Sequence, residues 1–451
     1  MHHTVFFNSV HAHGCKEPPK LPLDLNVVNK QAALEHTFLE TTTRLFAEHG
    51  KTYKATRSGR TIIRTCDPEV SKAVLSTQFE HFGLQPIRYE EGKGFFGNGI
   101  LVTDGPQWKH SRTLIRPTFD IAHVANFGRL EGHVMRFMNL LPRDGSTVDL
   151  FPLLKRLTLD ISSEFIFGRS MDALSSQGAC KGFMDAFMAA QRDVIIPVPK
   201  RTKEYGKWCK EVLDYIDDRV TEAMDRVTKP SESDSGSKQV RIIDELLATT
   251  HDRRTLKYLA LSIFSPAHDS VAITIGNAMF HLARNTESWA RLRAEIMPTT
   301  CQPLTYEMLN SFKYLNWVLR ESSVRECLST TVLPRGGGND GQSPLLVEKG
   351  DLVEINFRSS HRDQTFWGED ADLFRPERWE TIRPTWEYIP FSGGPRICPA
   401  FRMVYTECGY IMVSMIRAFA KIENRDKVEE WVEERRLTFQ SLNGTKIGLL
   451  L

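Results

Sequence analysis

The chain has 451 residues, of which 41% are apolar and 25% charged, the make-up of a globular protein with a sizeable core rather than of a disordered one. Its 58 basic and 56 acidic side chains leave a formal charge of +2, which excludes a polyanion such as nucleic acid as the main partner. The eight cysteines (Cys15, Cys66, Cys180, Cys209, Cys301, Cys327, Cys398 and Cys408) include no CxxC pair; this argues against a disulfide framework or a zinc site and for a reducing compartment.

Residues 1–30 read as an amino-terminal tail. The Val5-Phe6-Phe7 cluster falls far short of the roughly 20 apolar residues of a membrane-spanning helix, so no anchor is expected. His2, His3, His11 and His13 are too loosely spaced for a metal tract and read as solvated. From Gln31 to His49, Leu34, Phe38, Leu45 and Phe46 share one helical face and Gly50 supplies the stop. Tyr53–Arg57 and Thr61–Thr65, joined at Ser58-Gly59, predict a hairpin. Asp67-Pro68 gives an N-cap and a first-turn proline to a short helix ending near Leu75.

Residues 79–105 are rich in aromatics and glycine without a period, and read as a long loop. Helical patterns follow at Trp108–Phe119, Gly132–Leu141, Leu153–Phe167, Gly182–Arg192, Lys203–Val227, Arg241–Thr249 and Leu256–Asn285. Residues 229–239, polar and of low complexity, predict a mobile linker inside a single large domain spanning 31–451. The predicted class is mainly α with a small β component.

The chemistry concentrates at Phe391-Ser392-Gly393-Gly394-Pro395-Arg396-Ile397-Cys398-Pro399-Ala400, which precedes an apolar helical run from Met403 to Phe419. A cysteine at the mouth of a helix is favoured as a thiolate by the helix dipole and by free N–H groups, so it can stay deprotonated as a metal ligand. Gly393 and Gly394 are expected to take positive φ and let the loop approach a flat cofactor closely. Arg396 can pair with a carboxylate. A cysteine after a Gly-Pro turn also fits a plain core residue; the surrounding pattern decides between the two.

That pattern, FxxGxRxC, resembles the haem-binding loop of cytochromes P450. The resemblance implies a cytochrome P450 fold and haem b, with Cys398 as the axial ligand of the iron, Arg396 as a propionate contact and Phe391 as the ring beside the sulfur. Ala400 stands where the family usually has glycine. Trp108-Lys109-His110-Ser111-Arg112 resembles the family's WxxxR helix, in which Trp108 and Arg112 would bind a propionate. Phe374-Arg375-Pro376-Glu377-Arg378-Trp379 resembles the segment whose arginine, here Arg378, joins a Glu–Arg pair. The likeness runs in order from Cys15 to the carboxyl terminus.

Within the family, Leu333-Pro334-Arg335-Gly336-Gly337-Gly338, Trp367-Gly368-Glu369-Asp370-Ala371, Trp386-Glu387-Tyr388, Gly92-Lys93-Gly94-Phe95-Phe96-Gly97 and His13-Gly14-Cys15-Lys16 look like the fungal alkane and fatty-acid hydroxylases. The implied activity is a monooxygenase acting on a lipophilic substrate (alkane, fatty acid or secondary metabolite), with pocket residues drawn from Phe95–Leu101 and the central helix. Its electrons would come from NADPH through NADPH-cytochrome P450 reductase, since no nicotinamide or flavin motif is present. Relatives of this kind work on the cytosolic face of the endoplasmic reticulum membrane, and peripheral membrane contact is the corresponding expectation here.

Three stretches depart from the pattern. The oxygen-activation signature reads Pro266-Ala267-His268-Asp269-Ser270-Val271; Asp269 keeps an acid and Ser270 a hydroxyl, so both are candidates for a catalytic proton relay, while Pro266 removes a helical donor. The family's ExxR becomes Glu321-Ser322-Ser323-Val324-Arg325, one residue too long, and Leu333 follows too soon. The segment around Asp193–Lys203 is short as well. An incomplete gene, a splice form and a decayed enzyme each account for such gaps. A non-catalytic haem-binding relative and a thiolate-haem isomerase that does not use O2 therefore stand beside the monooxygenase reading.

Overall fold

The computed structural model describes residues 14–175, 180–194, 201–228, 241–320, 327–328, 331–436 and 438–451. These form two compact units. One comprises the described residues of Met1–Leu84 and Arg320–Cys398, the other those of Gln85–Leu319 and Pro399–Leu451. The 229–239 linker, Glu321 and Arg325 lie outside the described residues, as do 195–200 of the segment that looked short.

The first unit is built on a sheet. Strand β1 (Lys20–Asp24), from residues expected in the tail, runs parallel to β2 (Thr52–Arg57), which forms the predicted hairpin with β3 (Arg60–Thr65). Ser58 and Gly59, at φ 52° and 73°, make its turn, the left-handed pair whose twist suits a two-residue hairpin loop. Strands β4 (Cys327–Leu328), β5 (Thr331–Gly337), β6 (Ser343–Val347) and β7 (Leu352–Ile355) follow. The sheet order is β1-β2-β3-β7-β4, and β5-β6 is a separate hairpin. The single helix expected over 31–49 is two, α1 (Leu25–Leu34) and α2 (Phe38–His49), broken where His36 takes φ 56°.

Asp67 caps the short helix Pro68–Lys72 by accepting from the N–H groups of Glu69 (2.9 Å) and Val70 (3.0 Å). That helix and the π-helical turn after it (Ala73–Thr77) lay Val70, Ala73 and Val74 onto Ile63, Val353, Ile355 and Phe357. Burying such side chains contributes about 1.5–3 kcal/mol each.

The second unit is helical: α3 (Gln85–Phe96), α4 (Gly105–Ile115), α5 (Gly128–Leu140), α6 (Leu150–Phe167), α7 (Lys181–Asp193), α8 (Lys203–Thr228), α9 (Arg253–Arg284) and α10 (Phe401–Ala418). A small sheet places strand Lys446–Leu450 between Asp144–Asp149 and Lys421–Asn424. By length and composition α9 could cross a membrane, yet its most apolar window is 78% buried; it is the core helix of this unit.

Helix α3 corrects the reading of residues 79–105 as loop. Gly92 and Gly94 weaken the helical signal, but packing supplies what propensity lacks. A Cβ on Gly92 would lie 2.6 Å from Val102, and a reciprocal pair closes the segment: Gln85 N–H donates to Asp104 Oδ2 (2.7 Å) and Asp104 N–H to Gln85 Oε1 (3.0 Å).

Candidate haem-thiolate site

Cys398 ends a closed turn. Its N–H donates to Phe391 O (3.0 Å), Ile397 N–H to Gly394 O (3.1 Å) and Ser392 N–H to Ile389 O (3.0 Å), with a 3₁₀ turn over Gly394–Arg396 between them. These bonds hold Phe391, Arg396 and Cys398 on one rigid loop, with the Arg396 guanidinium 5.9 Å from the centre of the Phe79 ring.

The glycines act differently from expectation. Gly394 does take positive φ (63°), but the other left-handed residue is Ser392 (65°), while Gly393 is extended at φ −140°. Gly393 is needed for space: a Cβ there would lie 2.5 Å from Trp386, and one on Gly394 only 1.8 Å from Leu75 O. Both approaches are to protein.

The Cys398 thiol is free and half-buried, and Ile397, Pro399 and Ala400 are also half-buried. Cys66 and Cys408 behave otherwise. Burial pushes the Cys66 thiol up to about 12 and that of Cys408 well above its ordinary value, as for inert core cysteines. Among the described residues no three His, Cys, Asp or Glu side chains gather to hold a bare ion. A lone open thiol amid partly open apolar side chains suits a metal that brings its remaining ligands with it, as an iron porphyrin does.

In the same unit, Arg378 is 2% exposed and donates to Asp370 O (2.8 Å), Leu373 O (2.8 Å) and Trp367 O (3.3 Å). Trp367, Trp379 and Tyr388 meet edge to face around it. Glu321, its expected partner, is outside the described residues.

In the helical unit, Trp108 is buried (6%) and Arg112, one turn along α4, is half-buried, the same-face spacing that the sequence suggested. Phe95 and Phe96, expected near a pocket, are instead core side chains at 0% and 3% exposure. Phe95 packs with Phe187, and Phe187 with Phe183, Phe264 and the imidazole of His268.

Helix α9 runs unbroken through Pro266. Pro266, Ala267, Ser270, Ile273, Thr274 and Asn277 stay at least partly exposed while their neighbours are buried, so at helical spacing they form one open stripe. Ser270 Oγ donates to Pro266 O (2.8 Å) and Thr274 Oγ1 to Ser270 O (2.7 Å).

Asp269 points the other way and does not share that stripe with Ser270. Its carboxylate pairs with Lys155 of α6, both side chains under a tenth exposed, and lies 3.2 Å from His268 Nδ1. Burial alone would raise its pKa, but the Lys155 ammonium and His268 outweigh it and hold the carboxyl well below the usual range. Burial also lowers the His268 pKa, keeping the imidazole neutral. Sequence reasoning missed Lys155, His268 and Thr274. Lys155 had a signal: it is a lysine in the apolar run Leu150-Phe151-Pro152-Leu153-Leu154 of a helix whose other face is also buried.

The Cytochrome P450 family model matches residues 16–444. The chain is 34% identical to cytochrome P450 monooxygenase iccC of Talaromyces variabilis, over 97% of this chain and 93% of that one. It is 33% identical to monooxygenase fumoA of Cordyceps fumosorosea (97% and 92%) and 34% identical to fsdH of Fusarium heterosporum (97% and 83%).

Proposed function

Because this chain belongs to the cytochrome P450 family, and is thereby an oxidoreductase of the haem monooxygenase type, we propose that it inserts one oxygen atom of O2 into a C–H bond of a lipophilic substrate. The second oxygen leaves as water, so each turnover consumes two electrons and two protons. The electrons come from NADPH through a separate reductase. When bound through the Cys398 thiolate, haem b supplies oxygen activation, since thiolate ligation pushes electron density onto the iron.

The protein's own groups divide the remaining work. Cys398 is the ligand, held at a fixed angle by its bond to Phe391 O. Arg396, Trp108 and Arg112 are the propionate partners. Ser270 carries a hydroxyl on the open stripe of α9, where a proton can pass toward the reacting centre. Lys109 on α4 and Arg116 just past its end lie exposed and offer positive charge to an acidic electron donor. Exposed Val27 and Leu34 (68% each) flank exposed Lys30 on α1, the mixture of apolar and basic side chains that lies at a membrane surface. This supports peripheral contact with a membrane, and the family resemblance makes that membrane the cytosolic face of the endoplasmic reticulum. The substrate class rests on the family resemblance alone.

The observation that carries the reading is the free, half-open thiol on a closed turn. Its test is the carbon monoxide difference spectrum of dithionite-reduced protein beside Cys398→Ala. The expected result is a thiolate-type Soret band that the variant lacks while keeping its far-ultraviolet circular dichroism. Failure to take up haem, or a band without thiolate character, would sink the assignment. NADPH consumption with reductase and an aliphatic acid then separates oxygen insertion from the isomerase and non-catalytic readings.

A further inference from the structure

The Cys398 loop rests on one short stretch of its own unit. Residues Ala73–Thr77 form a π-helical turn, closed by Gln78 N–H donating five residues back to Ala73 O (2.8 Å). Such a turn holds one residue more than an α-helical one and is uncommon outside functional sites. Here it brings the Leu75 carbonyl against Gly394: a Cβ on Gly394 would lie 1.8 Å from Leu75 O and 3.0 Å from Ser76 Cα. Just past the turn, the Phe79 ring lies 5.9 Å from the Arg396 guanidinium, within cation–π reach. Both ends of the 3₁₀ turn Gly394–Arg396, which leads into Cys398, are thus touched from this stretch.

The stretch is itself tied down by Gln78. Its side-chain amide is used twice: Nε2 donates to Val332 O (2.9 Å), and Oε1 accepts from Thr331 Oγ1 (2.9 Å). Both partners are the first residues of β5, in the β5–β6 hairpin. A half-buried glutamine that commits donor and acceptor to one strand has little freedom left, and truncating it strands both partners. The same residue closes the π-helical turn through its backbone. Its two bonds to β5 therefore bear on Leu75 and Phe79, which touch the loop, as well as on the edge of the hairpin.

We propose that Gln78 is a positioning residue for the Cys398 ligand. By tying the π-helical turn to β5 it holds Leu75 O and the Phe79 ring as a fixed seat for the loop, and this seat preserves the bond from Cys398 N–H to Phe391 O that orients the thiol. The ligand half of this inference rests on the haem-thiolate reading; the seat does not.

The test is hydrogen–deuterium exchange of the purified protein, read by mass spectrometry, on Gln78→Ala and Thr331→Val beside Asp149→Ala. Asp149 Oδ1 accepts from Phe151 N–H (3.1 Å) and Thr445 N–H (2.8 Å) in the other unit, so its variant controls for lost stability alone. In Gln78→Ala the amides of 391–398 should exchange several-fold faster than in the parent while those of the β2–β3 hairpin keep their rate. The carbon monoxide difference spectrum should at the same time lose part of its thiolate-type band. Thr331→Val removes one of the two bonds; it should show the same pattern at smaller size, and it decides alone if Gln78→Ala does not fold. Asp149→Ala should lower the unfolding midpoint and produce neither change. A parental exchange rate at 391–398, or a rise no greater than in the β2–β3 hairpin, would overturn the seat. A loop that exchanges faster under an undiminished thiolate band would overturn its link to the ligand. If the parent shows no thiolate band, the haem-thiolate reading fails by itself, and exchange still decides the role of Gln78.

Discussion

The Cys398 loop and the middle of α9 hold their key side chains by opposite means. In the loop, backbone hydrogen bonds and two glycine contacts do the positioning, and the thiol is left half-open. In α9 a buried ion pair does the positioning, and Ser270 and Thr274 are among the residues left open. Backbone positioning is local and tolerates little change in volume. Charge positioning acts between distant segments and fails when one partner is lost but less when both are.

The largest expected effect breaks the loop. In Gly394→Ala the new Cβ would sit 1.8 Å from Leu75 O, on a residue at φ 63°. The variant should lose more than about 4 kcal/mol, in the range reserved for severe backbone or packing clashes. Urea titration would measure it, and a loss below about 1 kcal/mol would mean that the turn adapts and that backbone rigidity is not what positions the thiol.

The contrast also explains what could be read from the chain. The loop was legible because its contacts are local: Phe391, Gly394 and Cys398 lie within eight positions of one another, and the hairpin at Ser58-Gly59 and the cap at Asp67 are similarly short-range. The need for Gly393 was not, because it depends on Trp386 lying against it. Helix α3 was hidden for the same reason, its glycines being tolerated only because Val102 and the Gln85–Asp104 pair close over it. Asp269 and Ser270 could be found as a motif, yet the partner of the inward-turned Asp269 carboxylate is Lys155, 114 positions away. Periodicity gives the face of a helix, but not the partner that decides which residue turns inward.

A smaller effect sharpens the α9 side. Pro266 deprives Ser262 O of its helical donor, and its ring occupies the open stripe. Pro266→Ala restores that bond without disturbing a buried neighbour. A helix-interior proline costs roughly 3 kcal/mol. Part is already relieved by packing, and the substitution also frees the unfolded chain by about 0.4–1 kcal/mol. The net expectation is a gain of about 1–2 kcal/mol in unfolding free energy. Destabilisation instead would show that the side-chain bonds at Ser265 and His268 need the proline's local geometry.

The smallest effect returns to the approach to the loop. Ile389 N–H donates to His361 Nε2 (3.0 Å), and Ile389 O in turn accepts from Ser392 N–H, so a neutral imidazole supports the segment that leads to Cys398. Burial, and then the neighbouring Arg362 charge, lower the His361 pKa from 6.5 to about 3. With its folded pKa below the unfolded one, the unfolded chain takes up the proton first. The stabilising share of this histidine is therefore complete above pH 6.5 and is lost as pH falls from there toward about 3. The slope is at most about 1.4 kcal/mol per pH unit, less the share that solvent screens at a partly exposed ring. His361→Asn, whose amide oxygen can accept the Ile389 bond without titrating, should flatten unfolding free energy against pH between 6 and 4 relative to the parent. Because the support is local, the parent's thiolate band should fade in that window before its helical signal does. Parallel pH profiles for parent and variant would show that His361 does not link acidity to the loop, and would leave the acid sensitivity to the carboxylates.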